Sequence, residues 1–321
     1  MVACILTSRT EIFEFESNHI FKYCKPDHLD QISCKPISKI TCNNQNHDNN
    51  DDHDDLWLKM KDEARFDIDQ EPILSTYYIS LVLSHASLES ALANHISIKL
   101  STTSLSSASL YELIMGVFKD DQEIIRYVKD DLRAVKERDP ACISYVHCFL
   151  NFKGFIAIQC HRIAHYLWLK NRKVLALLIQ SRVSEVFALD IHPGAKIGSG
   201  IMLDHATGVV IGETTVIGNN VSILHNVTLG GTGKTSGDRH PKIGDGVLIG
   251  AGTCVLGNIG IGDGAKIGAG SVVLKDVPAK ATVVGNPARL VGGKKDNVKV
   301  DTVPSFTMDH VQHDEWSDYV I

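Results

Sequence analysis

Several features are scarce in or missing from this 321-residue sequence, and each absence excludes a class of function. Positive charge is not in surplus, because 32 Lys and Arg stand against 38 Asp and Glu and give a formal net charge of −6. Binding to a nucleic-acid backbone needs basic surface, so we expect no nucleic-acid partner. No apolar run approaches the roughly 18 residues of a membrane span, so we expect no membrane insertion.

Paired cysteine motifs are also missing. The eight cysteines stand at 4, 24, 34, 42, 142, 148, 160 and 254, and no two of them form a C-x-x-C pair. A chain of this length can bury a core without disulfides. We therefore interpret them as free, buried thiols in a reducing compartment rather than as a disulfide framework, and we expect no metal site.

The first 55 residues have little capacity to form a core. Residues 43–55 are almost entirely Asn, Asp and His, a composition that cannot offset the entropy of ordering. We therefore predict a disordered N-terminal extension over residues 1–55. Residues 1–42 contain one arginine, Arg9, and five acidic residues, whereas organelle transit peptides are rich in Arg and poor in acids. This composition predicts a cytoplasmic protein.

Residues 56–189 have the periodicity of a helical domain. In the clearest segment, Asp120 and Glu123 match a capping box, apolar residues line one face, and Pro140 forces Asp139 out of the helix. Helices are predicted over residues 55–68, 76–98, 120–139, 152–169 and 174–189.

From residue 190 to 291 the period changes to six. Aliphatic residues recur at 191, 197, 203 and 209, then at 211, 217, 223 and 229, and finally at 243, 249, 255, 261, 267 and 273. Glycine follows many of them, which is typical of hexapeptide-repeat parallel β-helices, where three short strands close one coil. The fold class is therefore α+β: an N-terminal helical domain followed by a parallel β-helix. Left-handedness is known for this class of repeat and is not contained in the spacing.

Two segments fall outside the repeat. Residues 230–242 read GGTGKTSGDRHPK and are predicted to project as a loop, and such loops on rigid scaffolds often carry function. The GGTGKT stretch has the wrong spacing for a nucleotide-binding P-loop, and no helix follows it. Residues 292–321 lack a core-forming pattern and are predicted to be a flexible C-terminal tail.

The order of these parts, and five long motifs, resemble one enzyme family. The motifs are ERDPA, LDIHPGAKIG, IMLDHATGVVIGET, VTLGGTGKTSGDRHPKIG and GNPARLVG, and the match extends from about residue 56 to 289. They resemble the serine O-acetyltransferases, and the two terminal extensions resemble the plant cytosolic type. The resemblance implies transfer of acetyl from acetyl-CoA to L-serine, giving O-acetylserine for cysteine biosynthesis, without a permanently bound cofactor.

The residue types fit that chemistry. The hydroxyl of serine is a poor nucleophile and needs a general base, for which histidine is suited when a carboxylate fixes its tautomer. His205 is our candidate base and Asp190 the candidate orienting carboxylate, because 15 residues separate them within one coil of about 18 residues.

Further roles come from the resemblance. Asp139 and Asp204 would hold the ammonium group of serine, and Arg239 would pair with its carboxylate. His240 would complete the site as a third catalytic residue, whereas Glu213 would have at most a supporting role. Candidate acetyl-CoA contacts are small or cationic residues along the repeats: Gly231, Thr232, Ala251, Gly252, Lys266, Ala269 and Arg289. Cysteine resembles serine, so it is expected to inhibit by competition.

Assembly is also expected. Left-handed hexapeptide helices pack around threefold axes, which predicts a trimer, and the family resemblance predicts a dimer of trimers. The resemblance also predicts that the tail docks into O-acetylserine (thiol)lyase, the next enzyme of cysteine synthesis. Tyr319, Val320 and the terminal carboxylate of Ile321 would supply the contacts.

Three other functions stay open at this stage. A hexapeptide-repeat carbonic anhydrase would place zinc on His205, His225 and His240. A sugar acetyltransferase would use the same scaffold. A regulatory subunit would bind its partner through the tail with little catalysis.

Overall fold

The computed structural model describes residues 52–233, 236–291 and 303–308, with side chains described from Leu56 onward. Most of the predicted N-terminal extension, most of the predicted tail, and Tyr319, Val320 and Ile321 therefore lie outside the described residues. No helix in the described part of the chain combines the length and the apolar character that crossing a bilayer requires.

Helices occupy the first part of the described chain. They are α1 Asp52–Gln70, α2 Ser75–Tyr78, α3 Leu88–Leu100, α4 Ser107–Asp120, α5 Glu123–Arg138, α6 Tyr145–Asn151, α7 Lys153–Leu169 and α8 Lys173–Phe187. A 3₁₀ turn, Pro72–Leu74, precedes α2, and a π-helical segment, Ile79–Leu83, follows it. The helix α1 begins at Asp52, inside the segment predicted to be disordered, and its acidic first turn is favourable at a helix N-terminus.

Three helix predictions need correction. The helix predicted over residues 76–98 is interrupted, because Ser87 caps a new helix, α3, and its hydroxyl accepts a hydrogen bond from the backbone of Ser90. The predicted capping box is wrong: Asp120 ends α4, and the carboxylate of Asp121 accepts from the backbone N–H of Glu123 at 3.1 Å. Helices α4 and α6 were not predicted.

The end of α5 is as predicted. The helix stops at Arg138, and Asp139 adopts an extended conformation with φ −99° and ψ 108° before Pro140. This places the Asp139 side chain at the junction between the helices and the repeats.

Among the described residues, fifteen short strands form a β-helix. They are β1 Asp190–Ile191, β2 Lys196–Ile197, β3 Met202–Leu203, β4 Val210–Ile211, β5 Val216–Ile217, β6 Ser222–Ile223, β7 Thr228–Gly230, β8 Lys242–Ile243, β9 Leu248–Ile249, β10 Cys254–Leu256, β11 Gly260–Ile261, β12 Lys266–Ile267, β13 Val272–Val273, β14 Thr282–Val284 and β15 Arg289–Val291. The fold is the α+β class predicted, with helices followed by a left-handed parallel β-helix.

Three sheets form the walls of the β-helix. The first has the order β1-β4-β7-β10-β13, the second β11-β8-β5-β2, and the third β15-β14-β12-β9-β6-β3. All pairs are parallel except β14 with β15, which are antiparallel. The aliphatic repeat positions point inward and are buried, except Ile197, which is half-buried. Stacking of equivalent residues in successive coils buries this core, as the period predicts.

The repeat is interrupted where its period shifts. Asp190 pairs with Val210, and Val210 pairs with Thr228, so the first coil holds two more residues than the second. The extra residues lie between β3 and β4, in the turn that contains His205. A second interruption lies between β7 and β8, within the predicted loop of residues 230–242, and there residues 231–233 and 236–241 belong to no helix or strand.

Buried polar contacts join the helices to the first coil. The carboxylate of Asp131 on α5 accepts from Arg162 on α7 at 2.7 Å and from the backbone of Ile201 at 2.8 Å. Gly154 on α7 lies so close to the β-helix that a Cβ there would approach the carbonyl oxygen of Leu203 to 2.1 Å. The helical part therefore packs directly against the strand that precedes Asp204.

Candidate active site

The candidate base lies on the turn that holds the two inserted residues. His205 has φ +55° and Ala206 φ +56°, left-handed conformations that are uncommon outside glycine. The side chain of His205 is 72% exposed, and its ring meets that of His225 edge to face at a centroid distance of 5.6 Å. The insertion thus holds an imidazole outside the wall of the β-helix, where a substrate can reach it. We call this turn and the corner residues stacked with it the His205 corner.

One carboxylate lies beside this histidine, and a second lies near the first. Oδ1 of Asp204 is 3.6 Å from Nε2 of His205. Burial raises the pKa of the Asp204 carboxyl, and the negative charge of Asp139 raises it further, while His205 acts in the opposite direction. Asp139 itself accepts from the backbone of Ala141 at 2.8 Å, which fixes its side chain in a turn. Asp204 therefore lies beside His205, and Asp139 lies near enough to Asp204 to influence its pKa.

Asp190 has a different neighbour. Its Oδ1 accepts from the side-chain amide of Gln180 on α8 at 2.6 Å. Among the described residues, Asp190 and His205 share no hydrogen bond, and Asp204 is the carboxylate beside the ring of His205. Asp190 is the first residue of β1, in the first sheet. Because its hydrogen bond is to Gln180 and not to His205, its role as the orienting carboxylate remains a prediction.

Arg239 and His240 lie at another corner of the β-helix, between the first and second sheets. Nη2 of Arg239 donates to Oε2 of Glu213 at 2.7 Å, and this bond lowers the pKa of the glutamate. Burial lowers the pKa of the nearby His192. We call Glu213, Thr214, Arg239 and His240 the Arg239 corner.

The tautomer of His240 follows from its contacts. The backbone N–H of Thr214 donates to Nδ1 at 3.2 Å, and the Thr214 hydroxyl lies 2.9 Å from the same atom. Nδ1 must therefore accept, which places the proton of a neutral ring on Nε2. Burial lowers the pKa of His240, and the charge of Arg239 lowers it further. His240 is thus a neutral Nε2–H donor near pH 7, suited to an oxyanion or a carboxylate.

The predicted acetyl-CoA contacts are distributed around the first sheet. Ala251 and Ala269 occupy the turns stacked beyond His205 and His225, as the bonds from Gly252 N to His225 O and from Gly270 N to Ala251 O show. Gly231 and Thr232 begin the loop after β7 on the opposite side of the sheet. Between these two edges, the outward positions of the sheet include Thr228, Cys254 and Val272, none of them large.

The two cationic candidates differ in exposure. Arg289 is exposed on β15 and pairs with Val284, whose side chain lies close to Gly268 at the far end of the His205 corner. Lys266 is only 8% exposed and lies on the third sheet, away from that surface. Lys266 is therefore not part of the groove proposed below.

Cys254 is a free thiol that is only half-buried, whereas Cys142, Cys148 and Cys160 are free and buried as expected.

Sequence reasoning missed several residues near the site. His225 is not among the predicted residues of the serine site, yet its ring contacts His205. Thr214 holds the second corner, since its hydroxyl also accepts from the backbone N–H groups of Arg239 and His240 at 3.1 Å each. The distance in sequence hides the contacts of Thr214, whereas the spacing of His225 one coil beyond His205 could have revealed that pair.

The three histidines of the carbonic-anhydrase alternative do not converge within this protomer. His205 and His225 are neighbours, whereas His240 lies at the Arg239 corner and is held there by Thr214. The described residues include no group of three or more His, Cys, Asp and Glu side chains placed to hold a metal ion.

Comparisons with known proteins give two matching family models and several similar proteins. Residues 56–160 match the family model "Serine acetyltransferase, N-terminal", and residues 240–275 match "Bacterial transferase hexapeptide (six repeats)". The chain is 69% identical over 272 residues to "Serine acetyltransferase 1, chloroplastic" of Arabidopsis thaliana, covering 84% of this chain and 87% of that protein.

Two solved structures are similar to the chain along most of their length. One is a soybean serine acetyltransferase complexed with serine, 61% identical, with a TM-score of 0.72 over 74% of this chain and 97% of that one. The other is a serine acetyltransferase in complex with cysteine, 48% identical, with a TM-score of 0.77 over 80% of this chain and 98% of that one.

Proposed function

This chain belongs to the serine acetyltransferase family, and on that premise we propose that it transfers the acetyl group of acetyl-CoA to the hydroxyl of L-serine. The observation that carries the proposal is the inserted turn, which presents an exposed histidine beside the carboxylate of Asp204, whose pKa is raised by burial and by Asp139. Family membership also favours this activity over a carbonic anhydrase, a sugar acetyltransferase or a purely regulatory subunit.

In the proposed mechanism His205 removes the proton from the serine hydroxyl as the oxygen attacks the thioester carbonyl. The resulting imidazolium is stabilised by a carboxylate, the role assigned to Asp190, and the proton then passes to the departing thiolate of CoA. Asp139 and Asp204 hold the serine ammonium group. This arrangement is supported by their proximity, because two adjacent carboxylates create a site for one positive charge.

Arg239 and His240 would bind the other end of serine. The guanidinium of Arg239 is already hydrogen-bonded to one carboxylate, Glu213, so a substrate carboxylate would exchange with it or share it. His240 offers an Nε2–H donor to the same carboxylate or to the developing oxyanion, which stabilises charge in the transition state.

Acetyl-CoA would lie along the first sheet. Small outward residues leave room for the pantetheine arm between the His205 corner, with Ala251, Gly252 and Ala269, and the opposite edge, with Gly231 and Thr232. Arg289 lies near the far end of that line and is placed to meet the nucleotide phosphates. The co-substrate therefore would enter with its thioester towards His205.

The two corners lie at different edges of one protomer, which supports a site shared between protomers. The His205 corner is formed where the third sheet turns into the first, and the Arg239 corner where the first turns into the second. We propose that the chain forms a trimer, or a dimer of trimers, in which the His205 corner of one protomer faces the Arg239 corner of its neighbour.

Cysteine is proposed to inhibit at the serine site. It carries the same ammonium and carboxylate groups as serine, so Asp139, Asp204 and Arg239 would bind both. A related serine acetyltransferase has been solved in complex with cysteine and another in complex with serine. Competition between the two amino acids in initial-rate measurements would support a shared site.

Two further proposals concern the chain ends. The last residues, Tyr319 to Ile321, would dock into O-acetylserine (thiol)lyase, whose amino-acid site must accept a carboxylate. A cytoplasmic location is proposed from the acidic, Arg-poor N-terminal composition, although the Arabidopsis relative is named chloroplastic. A fluorescent fusion of the full chain in plant cells would distinguish cytoplasm from organelle.

The activity is tested by steady-state kinetics on the purified full-length chain. With L-serine and acetyl-CoA, free CoA and O-acetylserine should form in equal amounts, and an amino sugar should not replace serine. Failure to form O-acetylserine when both L-serine and acetyl-CoA are saturating would contradict the proposed function.

A further inference from the structure

A short segment near the C-terminal end of the chain packs against the last turn of α5. Residues 303–308, which include a one-turn helix α9 at Pro304–Thr307, lie inside the region predicted to be a flexible tail. Ser305 is fully buried, and its carbonyl accepts from the hydroxyl of Ser222 at 3.0 Å. Gly246 permits this approach, because a Cβ there would lie 2.5 Å from the Val303 side chain. We call residues 303–308 the docked segment.

The docked segment covers the side chain of Arg138, the last residue of α5. The ring of Phe306 lies 4.7 Å from the guanidinium carbon of Arg138, a cation–π distance. Arg138 donates to Gly200 O at 3.0 Å, to Ser222 Oγ at 3.2 Å and to Asn220 Oδ1 at 3.2 Å. One guanidinium therefore binds two successive coils of the β-helix and the docked segment. Burial lowers the pKa of Arg138 to about 10, which still leaves it charged at neutral pH.

The partners of Arg138 adjoin the candidate serine site. Asp139 is the next residue along the chain, at the C-terminal end of α5. Gly200 lies just before β3, whose end carries Asp204, and Ser222 opens β6, which leads to the turn containing His225. The bonds of Arg138 therefore fix the end of α5 relative to the strand that carries Asp204.

We propose that Arg138 is a positioning residue that sets the separation of Asp139 and Asp204, and that the docked segment holds Arg138 in place. The inference rests on the proposed function, because the separation matters only if these two carboxylates bind the serine ammonium group. Arg138 would not touch the substrate. Its effect would be confined to the serine end of the site, since the acetyl-CoA groove lies along the first sheet and not at the end of α5.

The first test replaces the guanidinium. Arg138→Ala should raise the KM for serine and the inhibition constant for cysteine about tenfold, the effect of losing charge-assisted hydrogen bonds, with kcat and the KM for acetyl-CoA within about twofold of the full-length chain. Arg138→Lys should recover part of the loss, because it keeps the charge but not the planar fork. Arg126→Ala is the control, since Arg126 is an exposed residue of the same helix that forms a surface ion pair with Glu123.

The second test acts on the docked segment and does not depend on Arg138→Ala folding. Phe306→Ala should raise the KM for serine, whereas Phe306→Tyr, which keeps the ring, should not. A chain ending at residue 302 should behave like Phe306→Ala. A chain ending at residue 308 should behave like the full-length chain, and because both truncations remove 309–321, the comparison isolates the docked segment.

The outcomes separate this inference from the proposed function. Full-length protein without acetyltransferase activity would contradict the proposed function itself. Suppose instead that the full-length protein is active, and that Arg138→Ala, Phe306→Ala and the chain ending at residue 302 all have its KM for serine. This result would overturn only the positioning role. A fall in kcat at unchanged KM for serine would show that Arg138 supports the fold without setting the serine site, and would also overturn the proposal.

Discussion

His205 adopts a backbone conformation that few residues other than glycine can hold without strain. The turn stays stacked in the β-helix, because Ala206 is fully buried and the backbone N–H of Asn226 in the next coil donates to the carbonyl of Thr207. A histidine in that position is hard to explain by packing, because its side chain is largely exposed. Backbone strain of this kind often marks functional residues, and here it coincides with the candidate base.

The first prediction removes that base while keeping its backbone. His205→Asn should lower kcat by about 10²–10⁴, the usual contribution of a general base, because Asn tolerates the left-handed conformation but cannot take up the proton. Steady-state rates at saturating serine and acetyl-CoA measure it. Lys280→Asn is the control, because Lys280 is exposed and has nearly the same φ, +58°. Unchanged turnover in His205→Asn would exclude His205 as the base.

The second prediction separates the two carboxylates that could assist His205. Asp190→Asn should lower kcat and leave the KM for serine unchanged, because its proposed role is to stabilise the imidazolium. Asp204→Asn should chiefly raise the KM for serine, because its proposed role is to bind the ammonium group. The structure places Asp204 closer to the ring of His205, so the reverse result is the informative contradiction. It would make Asp204 the orienting group.

At the scale of elements, the sequence predicts the repeat period and the residues that end a helix, but it does not predict contacts between distant residues. The six-residue repeat located the strands, and Pro140 located the end of α5. The two-residue shift in the repeat could be read from the sequence, and it falls at the turn that holds His205. Helix α4 follows a serine-rich stretch that obscured its start, and α6 has only seven residues, too few for a clear period.

The contacts of Arg138 show why the rest of the site could not be predicted. Its hydrogen-bond partners are 62 to 84 residues away in sequence, on two different coils. Nothing in the period of α5 distinguishes this arginine from Arg126 or Arg133 on the same helix. The docked segment was missed for the same reason, because its burial depends on surfaces formed elsewhere in the fold.

The third prediction concerns buried histidines in two packed helices. Burial lowers the pKa of His95 on α3 to about 4 and lowers that of His161 on α7 well below its ordinary value. The unfolded chain protonates near pH 6.5 while the folded chain keeps both rings neutral, so this stability is present above pH 6.5 and is lost as the pH falls towards 4. For His95 the loss between pH 7 and pH 5 should be about 2 kcal/mol.

Urea unfolding at fixed protein concentration checks this pH dependence. The free energy of unfolding should fall from pH 7 to pH 5 in the unaltered chain, and the fall should be smaller by about 2 kcal/mol in His95→Gln. Ser84→Ala, which alters an exposed residue without a titratable group, should leave the pH dependence unchanged. The same slope in all three proteins would contradict the assignment.

At the scale of the whole molecule, the fourth prediction tests the shared site. Light scattering should give the mass of a trimer or of two trimers, and a monomer would exclude the arrangement. Arg239→Ala should raise the KM for serine strongly, and His205→Asn should be nearly inactive. Co-expressed in equal amounts, the two variants should recover activity at low serine in about a quarter of the sites, because each site then needs one particular pairing of neighbours.

The control is a mixture of the two variants that were expressed and purified separately and that do not exchange subunits after mixing. Recovery in co-expressed protein alone would show that the two corners come from different protomers. Absence of recovery in a trimer of confirmed mixed composition would place the complete site within one protomer.

The fifth prediction concerns the extreme C-terminus. Deleting Ile321 should abolish or greatly weaken binding to O-acetylserine (thiol)lyase while leaving acetyltransferase activity intact, because the terminal carboxylate would be the main anchor. Calorimetric titration of the lyase with full-length and shortened chains measures the difference. Equal affinities would refute docking through this end. The chain ending at residue 308 provides a second comparison, since it keeps the docked segment.

The inserted turn between β3 and β4 separates architecture from chemistry in this molecule. Strand pairing resumes in register on both sides of it, with Asp190 opposite Val210 and Met202 opposite Ser222. A parallel β-helix can accommodate a longer turn, provided that the strands before and after the turn still pair in register with those of the next coil. The exposed histidine is therefore carried by a turn that could be transferred as a unit. Grafting residues 204–209 between equivalent strands of a hexapeptide-repeat protein without activity would transfer the exposed imidazole. Removing two residues from this turn would leave a coil of regular length without the exposed histidine.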